Sequence, residues 1–167
     1  MTKPMSAGVD VPAGVETVWG VLTSVAWPQA LDAALKDGSR LVSAEPAPDG
    51  GVVVVTSRAL PDGVPGFLTS FMPADGRVTQ TDRWEPARDG VRRGRWDVTF
   101  PGSPGVIGGE TTVSPSGAGS RWVVSGQVQV KIPLLGGKTE GFLAPLLEKL
   151  VLRQGEVLRD QVAAGPR

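Results

Sequence analysis

Two polar residues that could do chemistry lie on a segment predicted to cross an apolar interior. Val78, Gln80, Asp82 and Trp84 alternate with polar residues over Val78–Glu85, and a period of two places them on one face of a strand. If Trp84 points into the core, Gln80 and Asp82 point the same way. A buried carboxylate is costly unless it is paired or meets water. Asp82 is therefore a candidate for orienting the polar end of a ligand, with Gln80 beside it.

A purely structural role for Asp82 is the alternative, with Arg58, Arg92 or a backbone N–H as its partner. Glu110 is a weaker second candidate, because alternation does not assign its segment to one face. The basic run at 91–95 has acidic residues close by in sequence, which favours a solvated hairpin surface over a nucleic-acid site.

The composition limits which chemistry is available. The 167 residues include no Cys, His or Tyr, which excludes disulfides, Cys/His zinc sites, iron–sulfur clusters and Ser-His-Asp or Cys-His nucleophiles. Lys plus Arg number 17, as do Asp plus Glu, so no net charge attracts nucleic acid or an anionic membrane. No cofactor, metal site or catalytic residue is predicted. The sequence shows no targeting or membrane-spanning segment, so a cytoplasmic protein is expected.

Turn signals and apolar periodicity divide the chain into strands and helices. Pro and Gly number 15 and 23, and Gly-containing turns between β-branched runs predict antiparallel hairpins. One strand and two short helices come first, six strand segments follow, and a long helix comes last. The predicted ranges are Met5–Val11, Val15–Leu22, a helix from Pro28 to Asp37-Gly38, Arg40–Glu45, Val52–Leu60, Val78–Glu85, Val91–Phe100, Val106–Ser114, Ser120–Ile132 and Lys138–Ala163.

The order of elements predicts an α+β fold with one domain over residues 1–167. An antiparallel sheet must cover its inner face, and the last helix is the only large apolar partner available. We therefore expect a curved antiparallel sheet of about six to seven strands wrapped around the long C-terminal helix. The two short helices after the first strand would close one end.

This order, together with four local segments, resembles the START-like (SRPBCC) helix-grip superfamily, which includes lipid-transfer domains, plant pathogenesis-related and pollen-allergen proteins, and polyketide cyclases. The segments are Val11–Ala13, Thr79–Trp84, Arg93–Trp96 and Lys131–Lys138. They also look like one bacterial family of unknown function within it. The resemblance covers about residues 5–163. It implies a hydrophobic pocket between sheet and helix but no particular ligand or reaction, because the superfamily carries many functions on one scaffold.

Strand alternation predicts which residues wall that pocket. Trp96 and Phe100 share one face of their strand, and Trp122 lies on the apolar face of the last strand. Each ring either fills the core or walls a cavity. The predicted ligand-binding set is Phe67, Phe71, Gln80, Asp82, Trp84, Trp96, Phe100, Trp122, Phe142, Leu146 and Leu150.

Two further segments leave alternatives open. The stretch 61–76 carries Phe67, Leu68, Phe71 and Met72, and it would form a lid over the pocket, meet a partner or membrane surface, or pack on the sheet edge. Gly136-Gly137 before the last helix would bind an anion or simply allow the chain to turn into the helix.

Three functions follow from these observations. The leading one is binding or carriage of a small hydrophobic molecule such as a lipid, fatty acid, isoprenoid or polyketide, by a monomer or weak dimer without nucleic-acid binding or stable membrane insertion. The second is a polyketide cyclase or aromatase with Asp82 as its base, although the usual His and Tyr proton shuttles are missing. The third is an interaction module that uses the outer sheet or the 61–76 segment and needs no ligand.

Overall fold

A computed structural model describes residues 2–59, 75–99 and 105–165. In these ranges seven strands form one antiparallel sheet with the order β1-β7-β6-β5-β4-β3-β2, and two short helices follow β1 while a long helix closes the chain. The predicted α+β helix-grip arrangement is confirmed. The elements are β1 (Thr2–Val11), α1 (Val15–Leu22), α2 (Ala26–Leu35), β2 (Arg40–Pro46), β3 (Val52–Ala59), β4 (Arg77–Trp84), β5 (Arg92–Thr99), β6 (Gly105–Ser116), β7 (Gly119–Val130) and α3 (Gly136–Ala164).

The first strand pairs with the last strand and forms one edge of the sheet. β1 is longer than predicted because its pairing with β7 runs from Thr2 opposite Gln129 to Val11 opposite Ser120. The outward backbone groups of this edge meet side chains of α3. The Ser6 N–H donates to the Glu148 carboxylate at 2.9 Å, and Arg159 Nε donates to the Asp10 carbonyl at 2.8 Å. The long helix therefore satisfies an edge that would otherwise be open to pairing with another strand.

Helix α3 packs closely against β1 and β7. Gly155 is buried where α3 crosses β1, and a Cβ there would overlap the side chain of Val9. Leu158 is fully buried in the same contact region. At the other end of α3, the buried Glu140 carboxylate accepts a hydrogen bond from the Val130 N–H at 2.9 Å. Small and polar residues thus hold the helix at a set height above the sheet.

The turn into α3 accounts for Gly136, the first of the two glycines with which this helix begins. A Cβ at Gly136 would lie 2.5 Å from the Val130 carbonyl oxygen, a distance that real Cβ contacts do not show. The Gly136 N–H donates to the Ile132 carbonyl at 2.9 Å, so this N–H is not free for an anion. The structure therefore favours the turn over the anion site.

Two inward-facing tryptophans lie against glycine positions of other strands, one on the adjacent strand and one two strands away. A Cβ at Gly94 would lie 3.1 Å from the Trp84 ring, and one at Gly126 would lie 3.0 Å from Trp96 Cζ2. The Trp96 indole N–H donates to the Ser125 carbonyl at 3.1 Å. Because glycine has no side chain, these rings approach the sheet backbone and leave space above them.

Replacing Gly126 with alanine is expected to lower the free energy of unfolding by about 1–3 kcal/mol, because the added methyl overlaps the Gly108 carbonyl and crowds the Trp96 ring. Urea denaturation followed by circular dichroism measures this. Gly20→Ala is the control, since α1 leaves open space at that position and alanine should stabilise a helix by up to about 1 kcal/mol. Equal or higher stability of Gly126→Ala would contradict the tight approach of Trp96.

The outer face of the sheet carries cross-strand ion pairs. Arg83 lies 2.8 Å from Asp97, and Arg95 lies 3.7 Å from Glu110. The Glu110 side chain is 68% exposed, which excludes it as a second carboxylate inside the fold. Arg92 pairs with Glu16 of α1 at 2.6 Å. Two side chains of the basic run at 91–95 thus pair with acids: Arg95 on the exposed outer face, and Arg92 against α1.

Candidate functional site

A cavity of about 70 Å³ lies between the inner face of the sheet and helices α1, α2 and α3. Every strand except β2 contributes to its wall. Four of the five tryptophans of the chain line it. The lining residues are Met5, Leu22, Trp27, Pro28, Leu31, Ser39, Val54, Thr56, Arg58, Gln80, Asp82, Trp84, Trp96, Thr111, Trp122, Val124, Leu147, Leu150, Val151 and Gln154.

The structure brings six of the eleven predicted site residues to this wall: Gln80, Asp82, Trp84, Trp96, Trp122 and Leu150. Phe142 and Leu146 are half-buried on α3, but they are not among the lining residues; Leu147, Val151 and Gln154 accompany Leu150 instead. Phe67, Phe71 and Phe100 lie outside the described residues, as does most of the segment 61–76. A lid formed by that segment therefore stays a prediction.

Gln80 and Asp82 form a bonded pair on the inner face of β4. The Gln80 Nε2 group lies 3.1 Å from each carboxylate oxygen of Asp82. Burial raises the pKa of the Asp82 carboxyl to about 6, and a smaller contribution from the Asp97 charge acts in the same direction. The Gln80 hydrogen bonds and the positive charge of Arg58 oppose this rise. Within the described ranges, none of the three structural partners considered for Asp82 donates a hydrogen bond to its carboxylate; Arg92 instead bonds to Glu16.

Arg58 is the site residue that alternation alone does not reveal. Both faces of β3 begin with valines, so periodicity does not say which face is inside. The register of β3 against β4 shows which face is inside, because Val54 pairs with Asp82 and Thr56 with Gln80, and paired residues share a face. Arg58 follows Thr56 by two residues, lines the cavity and is only 8% exposed.

Two of the four lining tryptophans present apolar surface to the cavity because their indole N–H groups are bonded elsewhere. The Trp122 indole N–H donates to the buried Thr111 hydroxyl at 3.0 Å, and the Trp96 indole N–H donates to the backbone, as described above. Trp27 at the start of α2 also lines the cavity. The only sequence feature that points to Trp27 is the predicted helix that begins at the next residue, Pro28. The cavity thus has tryptophan walls and one polar region formed by β3 and β4.

Comparison with known proteins identifies the family. A family model described as "Protein of unknown function (DUF2505)" matches residues 6–162. The chain belongs to this family. Relatives of this chain among curated proteins are uncharacterised proteins of Mycobacterium tuberculosis and Mycobacterium bovis, 28% identical over 113 residues. The match covers 66% of this chain and 65% of each relative, so the chain spans just under two-thirds of the relatives' length.

Solved structures share the fold of this DUF2505 protein. TTHA0849 from Thermus thermophilus has a TM-score of 0.61 at 20% identity and covers 99% of this chain and 100% of its own. Norcoclaurine synthase from Thalictrum flavum, in complex with dopamine and hydroxybenzaldehyde, has a TM-score of 0.59 at 15% identity, with 100% and 90% covered. The di-domain ARO/CYC StfQ from the steffimycin pathway has a TM-score of 0.64 at 15% identity, with 99% and 53% covered. These likenesses confirm the START-like fold.

Membrane spanning by a helix finds no support in the described ranges. None of the helices that the structure describes combines the length and the apolar character needed to cross a bilayer. Within the same ranges, no three acidic side chains are grouped so that they could hold a metal ion.

Proposed function

We propose that this DUF2505 protein binds and carries a small, mostly hydrophobic molecule in the cavity between sheet and α3, without transforming it. The observation that carries the proposal is the position of Arg58, Gln80 and Asp82 on a cavity wall built largely of tryptophan. Burying such groups costs free energy, and a core that only had to pack would use apolar residues there. Apolar contact would supply the affinity and the polar region the orientation of the ligand.

The size of the cavity narrows the ligand within the proposed class of lipids, fatty acids, isoprenoids and polyketides. One water needs about 10–15 Å³ of such space, so about 70 Å³ fits a single ring or a short chain better than a long acyl chain. The fold supports this reading, because norcoclaurine synthase is solved with dopamine and hydroxybenzaldehyde, each of which has one ring.

Blocking the cavity tests the proposal directly. Leu150 lines the cavity from α3, so Leu150→Trp should fill it and lower the affinity for single-ring and short-chain probes by about tenfold or more. Leu152→Trp adds the same bulk at a position on α3 that is 49% exposed and should leave affinity unchanged. Isothermal titration, with mass spectrometry of molecules that co-purify, measures both. Equal binding by the two variants, or no binding by the unmodified protein, would remove the proposal.

An enzyme of the cyclase or aromatase type is the second candidate, and one observation favours it. Asp82 has a pKa raised to about 6 and lies on the wall of a cavity, which are properties of a general base. Asp82→Asn separates the two functions, because turnover of an enolisable ring precursor would collapse for an enzyme. A carrier would lose only a few-fold in affinity.

The proposal includes the setting in which the protein works. We place it in the cytoplasm, as one domain over residues 1–167 that is a monomer or weak dimer and does not bind nucleic acid. The balanced charge of the chain supports the last point. Light scattering across a concentration series tests the oligomeric state, and a stable higher oligomer would correct it.

A further inference from the structure

Arg58 is a buried cation whose donors are unused in the described part of the fold. A guanidinium stays charged in proteins and carries five N–H donors. Burial lowers the pKa of Arg58, against the smaller effects of the Asp82 and Asp37 charges. That direction shows that the protein environment disfavours the charge. A buried charge without a close partner costs several kcal/mol, so the absence of a partner calls for a physical reason.

Neither of the two acids near Arg58 accepts a hydrogen bond from it in the described ranges. Both Asp82 oxygens lie 3.1 Å from Gln80 Nε2, and one Asp37 oxygen accepts a hydrogen bond from the Ser39 N–H at 2.9 Å. The second Asp37 oxygen is buried without a hydrogen bond. Among the ion pairs of the described residues, none includes Arg58. Asp37 and Asp82 thus act on Arg58 only as charges at longer range.

A half-buried arginine of the same sheet has acceptors for its donors. Arg77, on β4, donates from Nε to the Ser57 hydroxyl at 2.8 Å and from Nη2 to the Gly38 carbonyl at 2.6 Å. Arg77 does not line the cavity, whereas Arg58 does. Among the described residues, acceptors are thus present for Arg77, which links β4 to β3, while none is present for the cavity arginine.

We propose that the ligand of this cavity carries a carboxylate beside its apolar body, and that Arg58 binds the carboxylate. This inference rests on the proposed function and names the class of molecule that the site takes. The planar guanidinium matches a carboxylate in a two-bond fork, and the ligand then becomes the counter-ion that the described residues do not provide. Trp84, Trp96 and Trp122 contact the apolar body, and the cavity volume favours a single-ring acid or a short-chain acid.

A cationic ligand bound through Asp82 fits the site less well. The Asp82 carboxylate already accepts from the Gln80 amide, and its raised pKa shows that its negative charge is disfavoured there. A bound amine would also bring a second positive charge next to Arg58. An amine is therefore an outcome that the experiment has to detect, and the acid is the expected ligand.

Matched probes test the inference on the full chain. Phenylacetate, phenylacetamide and phenethylamine share a ring and differ in head group, while hexanoate and hexanamide form a second pair that separates a short-chain acid from a ring acid. Isothermal titration should show the better-fitting acid binding about tenfold or more tighter than its amide. Arg58→Gln should bring acid and amide to equal affinity, and Arg83→Gln on the outer face of β4 should leave the ratio unchanged.

Each outcome separates the inference from the proposed function. If an amide or the amine binds as tightly as the acid, the carboxylate inference is overturned while ligand binding stands. If no probe binds to the unmodified protein, both fail. Thermal unfolding shows whether the variant is folded. Arg58→Gln should melt at the same or a higher temperature than the unmodified protein, because it removes an unpaired buried charge. Added acids should raise the melting temperature of the unmodified protein but not that of the variant. Should Arg58→Gln not fold, Arg58→Lys keeps the charge without the fork and should still lose several-fold in preference for the acid.

Discussion

Asp82→Asn is expected to raise the free energy of unfolding at pH 8 by about 1–3 kcal/mol relative to the unmodified protein. The pKa of Asp82 rises from 3.8 to about 6 on burial, which corresponds to about 3 kcal/mol at most. The lower end allows for the part of Asp82 that faces the cavity. Asparagine keeps the shape and an acceptor for the Gln80 amide but brings no charge.

The stability gap should close as the pH falls. A carboxyl with a raised pKa binds its proton more tightly in the folded state, so the unmodified protein gains stability as the pH drops from about 6 to about 4. The variant lacks this gain, and the two proteins should converge near pH 4. The groups that act on the Asp82 charge are Gln80 on its own strand, Arg58 on β3 and, through its charge from the outer face, Asp97 on β5.

Urea denaturation at pH 8, 6 and 4 measures this effect. Asp160→Asn, at an exposed position of α3, is the matched control and should run parallel to the unmodified protein at every pH. If the unfolding free energy of Asp82→Asn also runs parallel to that of the unmodified protein at every pH, Asp82 is as well hydrated in the cavity as in water. The claim that burial raises its pKa would then be wrong.

Leu158→Ala should cost about 2–5 kcal/mol of unfolding free energy. Leu158 is fully buried where α3 packs on the sheet, and its truncation leaves a void that closely held neighbours cannot fill. Val9 and Gly155 are already in close approach there, so α3 cannot move inward to close the void. A lower melting temperature and a lower urea midpoint with an unchanged slope are expected.

Leu152→Ala is the control for that prediction, because Leu152 is 49% exposed on the same helix. It should change stability by less than about 1 kcal/mol. Similar losses for the two variants would mean that the contact between α3 and the sheet is not the main support of the helix. The height of the cavity would then not be set by α3.

The Asp82 and Leu158 predictions concern two opposing contributions to the free energy of unfolding. The contact between α3 and β1 stabilises the fold, and the cavity next to it holds charges that destabilise it. A protein that only had to be stable would replace Arg58 and Asp82 with apolar residues of similar volume. Because these residues cost stability, we link them to ligand binding. The Arg58 and Leu150 experiments test that link by measuring affinity.

Local sequence patterns were sufficient for the elements and for one wall of the site. Alternation on β4 placed Gln80, Asp82 and Trp84 on one face, and the structure has all three on the cavity wall. The segment boundaries differ by a few residues, as at β1, where strand pairing extends the element beyond its apolar run. Elements depend on periodicity between near neighbours in the chain, which a single sequence contains.

Contacts between distant residues decided the rest of the site. The side on which Arg58 lies depends on the register of β3 against β4, which no pattern within β3 specifies. The α3 residues that reach the cavity are Leu147, Leu150, Val151 and Gln154 rather than Phe142 and Leu146, because the rotation of the helix is set by its packing on β1 and β7.

The sequence by itself therefore determined the order of strands and helices, the lack of Cys and His chemistry, and a carboxylate on an apolar strand face. Only the tertiary structure decided that Asp82 bonds to Gln80, that Arg58 lines the same cavity, and that this cavity is small. The physical reason is that the first group of properties follows from residue type and spacing along the chain. The second group depends on the distances between residues that are far apart in sequence, which packing alone sets.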